Sequence, residues 1–112
     1  MGDRGNIKVV SKDNPNGIYF YTHWRGSELP EILRHALIRG HERWTDEAYL
    51  NRIIFCAIVQ GYEMETTGFG ISTYICDNEH PIITVDHDAQ TVSLENGKKW
   101  PFKQYVSEVR SF

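Results

Sequence analysis

The stretch Thr45–Gly61, TDEAYLNRIIFCAIVQG, constrains the fold of this chain more than any other. It opens polar and then runs from Ile53 to Val59 without a polar side chain. Such an apolar run fits a buried strand as well as a buried helix, so length and flanks must decide. Both favour a helix. Thr45 is placed to cap its start, Asp46 and Glu47 suit the positive end of its dipole, and Gly61 suits the position just past its end. Tyr49, Leu50, Ile53, Ile54, Ala57 and Ile58 then form one apolar stripe, with Phe55, Cys56 and Val59 spread around the remainder. A helix apolar nearly all round must be covered on more than one side. Burial of a large apolar side chain contributes roughly 1.5–3 kcal/mol. Pairing of two copies through Phe55, Cys56 and Val59, a homodimer, is therefore one expectation. The competing one is a C-terminal helix carrying Phe102, Tyr105 and Val106 that covers the same side within one chain.

The segments around this helix read as follows. Residues 6–11 suit a first strand, Asp13–Gly17 a turn, and residues 17–24, GIYFYTHW, a second strand. Alternation places Ile18, Phe20 and Thr22 on one face and Tyr19, Tyr21 and His23 on the other, so this strand lies inside the sheet. Ser27 is positioned to cap a helix through SELPEILRHALIRG, with Pro30 in its first turn. A short connection then packs that helix antiparallel to the central one. Strands follow at ISTYIC (71–76), IITVD (82–86) and QTVSLE (90–95), and Asn96-Gly97 signals a tight hairpin turn. Pro101 starts a short C-terminal helix. The order ββααβββα predicts a single α+β domain over residues 1–112, with a mainly antiparallel sheet of about five strands.

Charge narrows the function classes. Residues 1–60 hold eight Lys/Arg against seven Asp/Glu, whereas residues 61–112 hold four against eight. Between Arg52 and Lys98 there is no cation, while Glu63, Glu65, Asp77, Glu79, Asp86 and Asp88 all fall there. A direct nucleic-acid binder needs a basic footprint, and this half has the opposite sign. These acids read either as a solvated face or as an interaction surface for a basic protein partner. The longest apolar run is far short of a membrane span, and MGDRGNIK lacks the apolar core of a secretory signal. Cys56 and Cys76 have no metal or redox spacing and read as small core residues in a reducing, cytoplasmic setting.

Three constellations are candidates for chemistry. Tyr21, His23, Trp24 and Arg25 stand just before a helix start, with Arg52 as a further cation, and aromatic stacking beside helix N–H groups suits a nucleotide ligand. The plainer alternative is that Tyr21 and Trp24 close the core and Arg25 is solvated. TGFG, residues 67–70, lacks the GxGxxG pattern and reads as a turn or bulge. The five histidines show no ligand spacing, so neither a metal nor another cofactor is expected. No GxSxG, HExxH or phosphate-binding loop is present, and no catalytic residue is assigned, which leaves binding ahead of catalysis.

The segments Tyr21-Thr22-His23-Trp24, Trp44-Thr45-Asp46, Tyr49-Leu50-Asn51-Arg52-Ile53-Ile54 and Thr67-Gly68-Phe69-Gly70-Ile71, with Val85-Asp86 and Gln90-Thr91-Val92, together resemble a group of small proteins of bacterial and phage type. The resemblance implies a context and no reaction. In that context, small acidic chains disarm host defences by binding a defence or nucleic-acid-handling protein, or its nucleotide signal.

Overall fold

Hydrophobic alternation builds the sheet. In a computed structural model, which describes residues 2–112, Ile7, Val9, Phe20, Ile83, Val85 and Val92 all turn to one face and are buried there. The elements are β1 (Gly5–Val10), β2 (Ile18–Thr22), α1 (Leu29–Arg39), α2 (Glu47–Val59), β3 (Phe69–Ser72), β4 (Ile83–Asp86), β5 (Thr91–Leu94), β6 (Lys99–Pro101) and α3 (Phe102–Glu108). Six strands form one sheet in the order β3-β2-β1-β4-β5-β6. The three helices cover the face that Ile7 points to, and a single core joins both layers. The other face carries Lys8, Tyr19, Tyr21, Thr84 and Ser93, with the Lys8 ammonium 5.6 Å from the Tyr19 ring centre.

The α+β class holds, with two corrections. The sheet is mixed, because β1 pairs β4 in parallel, Ile7 opposite Ile83 and Val9 opposite Val85. The sixth strand is β6, directly after the Asn96-Gly97 turn and before the helix that Pro101 begins. β2 lies between β1 and β3, the internal position expected from aromatics on both its faces. The expected strand over 71–76 is displaced. β3 begins earlier, at Phe69, and ends at Ser72, because the chain must then leave β2 and cross to β4. On that crossing the Glu79 amide donates to the Arg4 carbonyl, and buried Asn6 donates to the Asp77 carbonyl at 2.9 Å.

The central helix forms where expected, with shifts at its start. Its cap is Asp46 and not Thr45: the carboxylate accepts from the Tyr49 amide at 3.1 Å. Leu50, Ile54 and Ile58, one helical turn apart, are fully buried. Tyr49 leaves the core stripe and lies under the Arg43 guanidinium, 5.4 Å away. Val59 is buried inside the chain and Phe55 packs on Phe20, ring centres 5.4 Å apart. α3 does not provide that cover; it packs on α1 and the β5–β6 end. Cys56 and Cys76 are both exposed, contrary to a core role. Cys56 falls between the buried rows of α2, and Cys76 lies in the crossing loop. Trp44 ties the helices together, its indole N–H donating to the Leu37 carbonyl at 2.9 Å and its ring edge-on to Phe102. None of the helices is long and apolar enough to cross a membrane, among the described residues.

One buried polar contact links α2 to the sheet. His87, at the end of β4, has its Nε2 2.6 Å from Asn51 Oδ1, and its Nδ1 has no protein partner. Burial pushes this imidazole below its ordinary 6.5, with Glu47, Asp86 and Asp88 pulling the other way. The unfolded chain therefore takes up a proton first. The neutral ring's contribution is complete above the unfolded value and is lost as pH falls from there through the lower folded value. Lowering pH from about 7 to about 5 should reduce unfolding free energy, by at most about 1.4 kcal/mol per unit for one proton. Urea titrations across that range, with a His87→Gln variant showing a flatter dependence, check this.

Candidate functional site

Where β2 gives way to α1, the chain passes the C-terminal end of α2 and opens a cleft of about 820 Å³. Its wall is aromatic. Trp24 meets Phe69 edge-on at 5.8 Å, and Phe69 stacks on Tyr62 at 5.9 Å. Trp24 and Tyr62 are about half exposed, 43% and 49%, so their faces are available to a ligand. Glu28, Gln60 and Glu65 form the polar part of the lining.

The glycines expected to make a turn have a sharper role. Gly68 has φ +95, and a Cβ there would lie 2.1 Å from the Trp24 ring. Only glycine fits both the backbone and the indole. The Gly68 carbonyl accepts from the His23 amide at 2.8 Å, which fixes Trp24 beside it.

Arg25 lies at the inner edge of the cleft and is engaged. Its Nη1 donates to the Ile58 carbonyl at 3.0 Å and reaches the Ala57 carbonyl at 3.4 Å, while Nη2 lies 3.8 Å from Glu28. The guanidinium thus satisfies carbonyls that the end of α2 leaves without helical partners, at the negative end of its dipole.

The expected anion site at the start of α1 is filled from within. Ser27 does not cap α1; it sits in a 3-10 turn, Gly26–Glu28, and residue 28 precedes the helix. The Asp3 carboxylate accepts from the Ser27 amide at 3.0 Å and from its hydroxyl at 2.5 Å. His80 Nε2 lies 2.5 Å from the other Asp3 oxygen, and its ring stacks on Phe112. These bonds hold the Asp3 carboxyl below its usual range, the Ser27 hydroxyl contributing most. Serine, carboxylate and imidazole meet here with the carboxylate in the middle. The hydroxyl gives its hydrogen to an acid and touches no imidazole, which is not the geometry of an activated nucleophile.

The other candidates disperse. Tyr21 and His23 form a pair, Oη to Nδ1 3.0 Å; neither lines the cleft, although the His23 ring meets Trp24 edge-on at 5.6 Å. Burial, and then the Asp77 charge, raise the Tyr21 hydroxyl. Arg52 is exposed along α2 with Nη1 3.8 Å from Cys56 Sγ, and it does not line the cleft. The acidic residues do not share one face. Asp77 and Glu79 flank Arg4, before β1 starts, at 3.7 and 3.9 Å. Asp86 and Asp88 are at the far end, where Asp86 accepts the amides of residues 88 and 89 and Asp88 accepts that of Lys12. Six residues of β1 separate the two groups, roughly 20 Å. Glu65 alone of the six enters the cleft lining, with Glu63 nearby, its carboxyl held low chiefly by the Gly61 amide. Glu28 and Tyr62 were missed by the sequence reading, and Phe69 was read within TGFG only as part of a turn or bulge. An exposed aromatic beside a Gly-Phe-Gly turn was the available signal for the last two. Among the described residues no group of three or more His, Cys, Asp or Glu is placed to hold a metal.

Replacing Gly68 by Ala should displace the Trp24 ring and cost about 1–3 kcal/mol, the range for a strained backbone at positive φ. The Trp24 indole N–H resonance should shift while those of Trp44 and Trp100 stay in place, with the midpoint of urea unfolding lowered.

No protein-family model matches the chain, and no curated protein or solved structure is significantly similar to it.

Proposed function

We propose that this chain is a small binding protein of bacterial or phage type that inhibits a host defence or nucleic-acid-handling protein by holding a cationic side chain of that partner in the Trp24–Tyr62–Phe69 cleft. The supporting observation is the composition of the cleft: three aromatic rings, two of them half exposed, with Glu28 and Glu65 in the lining. A cation over aromatic faces gains roughly 0.5–2 kcal/mol, more as water is excluded. With the Arg25 charge matched by the α2 carbonyls and Glu28, Glu65 leaves the lining with a net negative charge that attracts a cation. The same features work against a nucleotide ligand. Its phosphates would face the acids, and the amide that would have received them is bonded to Asp3.

Tetralysine and tetra-arginine peptides are suitable first probes. They should shift the Trp24 indole resonance, with affinity falling several-fold between about 0.05 and 0.5 M salt as exposed charges are screened. Glu65→Gln and Trp24→Ala should each weaken binding about three- to ten-fold, in line with 0.7–1.4 kcal/mol per lost contact. Thermal unfolding controls confirm that the variants fold. A nucleotide that raised the melting temperature, when neither peptide moved Trp24, would replace this reading with a nucleotide-sequestering one.

A further inference from the structure

The two edges of the sheet differ. β6 is three residues long, ends in Pro101 and is packed by α3. β3, at the other edge, has no charged residue, no proline and no helix laid along its outer side. The register tells which of its backbone groups are free. His23 and Gly68 are a hydrogen-bonded pair, so alternation makes Tyr21–Gly70 and Tyr19–Ser72 the next bonded pairs. Phe69 and Ile71 therefore direct their N–H and C=O groups outward, away from β2. Exposed apolar residues flank β3 in the chain, and Tyr62 stacks on Phe69. Five of the nine exposed large hydrophobic residues among the described residues lie between positions 62 and 75: Tyr62, Met64, Ile71, Tyr74 and Ile75. Unpaired outward amides beside such residues form a template for another strand.

We infer that the free edge of β3 receives an extended basic segment of the partner protein as a seventh strand, which carries its cationic side chain into the cleft. This rests on the cleft reading above, and Phe69 belongs to both surfaces, as a β3 residue and a cleft wall. Charge selects the occupant. The approach to β3 and the strand itself, residues 62–72, hold Glu63 and Glu65 and no Lys or Arg, while Asp77 and Glu79 farther on are paired with Arg4. A basic strand is matched to that approach. A second copy of this chain would bring only the uncharged residues of its own β3 and no cation for Glu63 and Glu65.

The test uses an acetylated, amidated ten-residue peptide alternating Val with Lys. At saturation, hydrogen exchange at the Phe69 and Ile71 amides should slow at least about ten-fold, with no change at Gly70 and Ser72, which already bond to β2. Ile71→Pro removes an outward donor and leaves every bond to β2 in place, so it should melt near the wild-type temperature and bind the peptide at least about ten-fold more weakly. Tetralysine, too short to pair along the edge, should bind this variant as it binds the wild type. Peptide binding that shifts Trp24 without protecting Phe69 and Ile71, or that survives Ile71→Pro, overturns the edge inference and leaves the cleft reading standing. Protection of the same two amides without peptide, accompanied by a dimer in light scattering, assigns the edge to a second copy and overturns the inference. Absence of any peptide binding overturns both readings.

Discussion

The central strand β1 needs partners on both edges, and the architecture follows from how the chain supplies them. The hairpin to β2 satisfies one edge locally. The other edge is filled by β4, whose residues lie more than seventy positions away in the chain. To reach it, the chain leaves β3 and crosses two strands, laying the segment after Ser72 across the end of β1. That crossing buries Asn6 against the Asp77 and Asn78 backbone and side chain, engages both backbone groups of Arg4, and brings His80 to Asp3. It also leaves β3 outermost. The free edge is thus a consequence of where the parallel partner of β1 comes from.

The polarity of the cleft comes from the same arrangement. Two helix ends meet between β2 and α1, and each is served by a charged side chain of opposite sign. Asp3 answers the amide of Ser27, and Arg25 answers the terminal carbonyls of α2. Each is a charge-assisted bond to groups that a helix or turn end leaves without partners. With both charges engaged, Glu65 and the exposed part of Glu28 set the field that a ligand meets, against rings held in place by Gly68. A side chain read as ligand-binding in isolation, Arg25, is here a strut.

Buried polar groups on the opposite side tie α2 to the sheet in a different way. His87 is buried beside Asn51, where desolvation disfavours the charged imidazole. The three carboxylates around it temper that preference without reversing it. Trp44 links α1 to α3, with its indole N–H paired to Leu37 and its ring packed against the core beside Phe102. Trp44 and Asn51 have clear packing roles, while Trp24 and Phe69 face the cleft.

Local physical chemistry determined much of this protein from its sequence alone. The helix over Glu47–Val59, the alternation of Ile18, Phe20 and Thr22, the hairpin ending at Gly17 and the turn at Asn96-Gly97 follow from periodicity, β-propensity and positive φ, which depend on near neighbours. Helix starts were legible only to within a residue or two, because Thr45, Asp46, Ser27 and Glu28 all offer oxygen acceptors and the surrounding chain selects one. Tertiary structure alone decided the parallel β1–β4 pair, the early end of β3 and the separation of Asp77 from Asp86. Pairing across seventy residues is chosen by the whole core and leaves no local periodicity. It likewise joined Trp24 to Tyr62, Phe69 and Glu65 in one cleft and left Tyr21 and His23 out of its lining. Neighbours on a strand diverge, and residues forty positions apart meet at an edge.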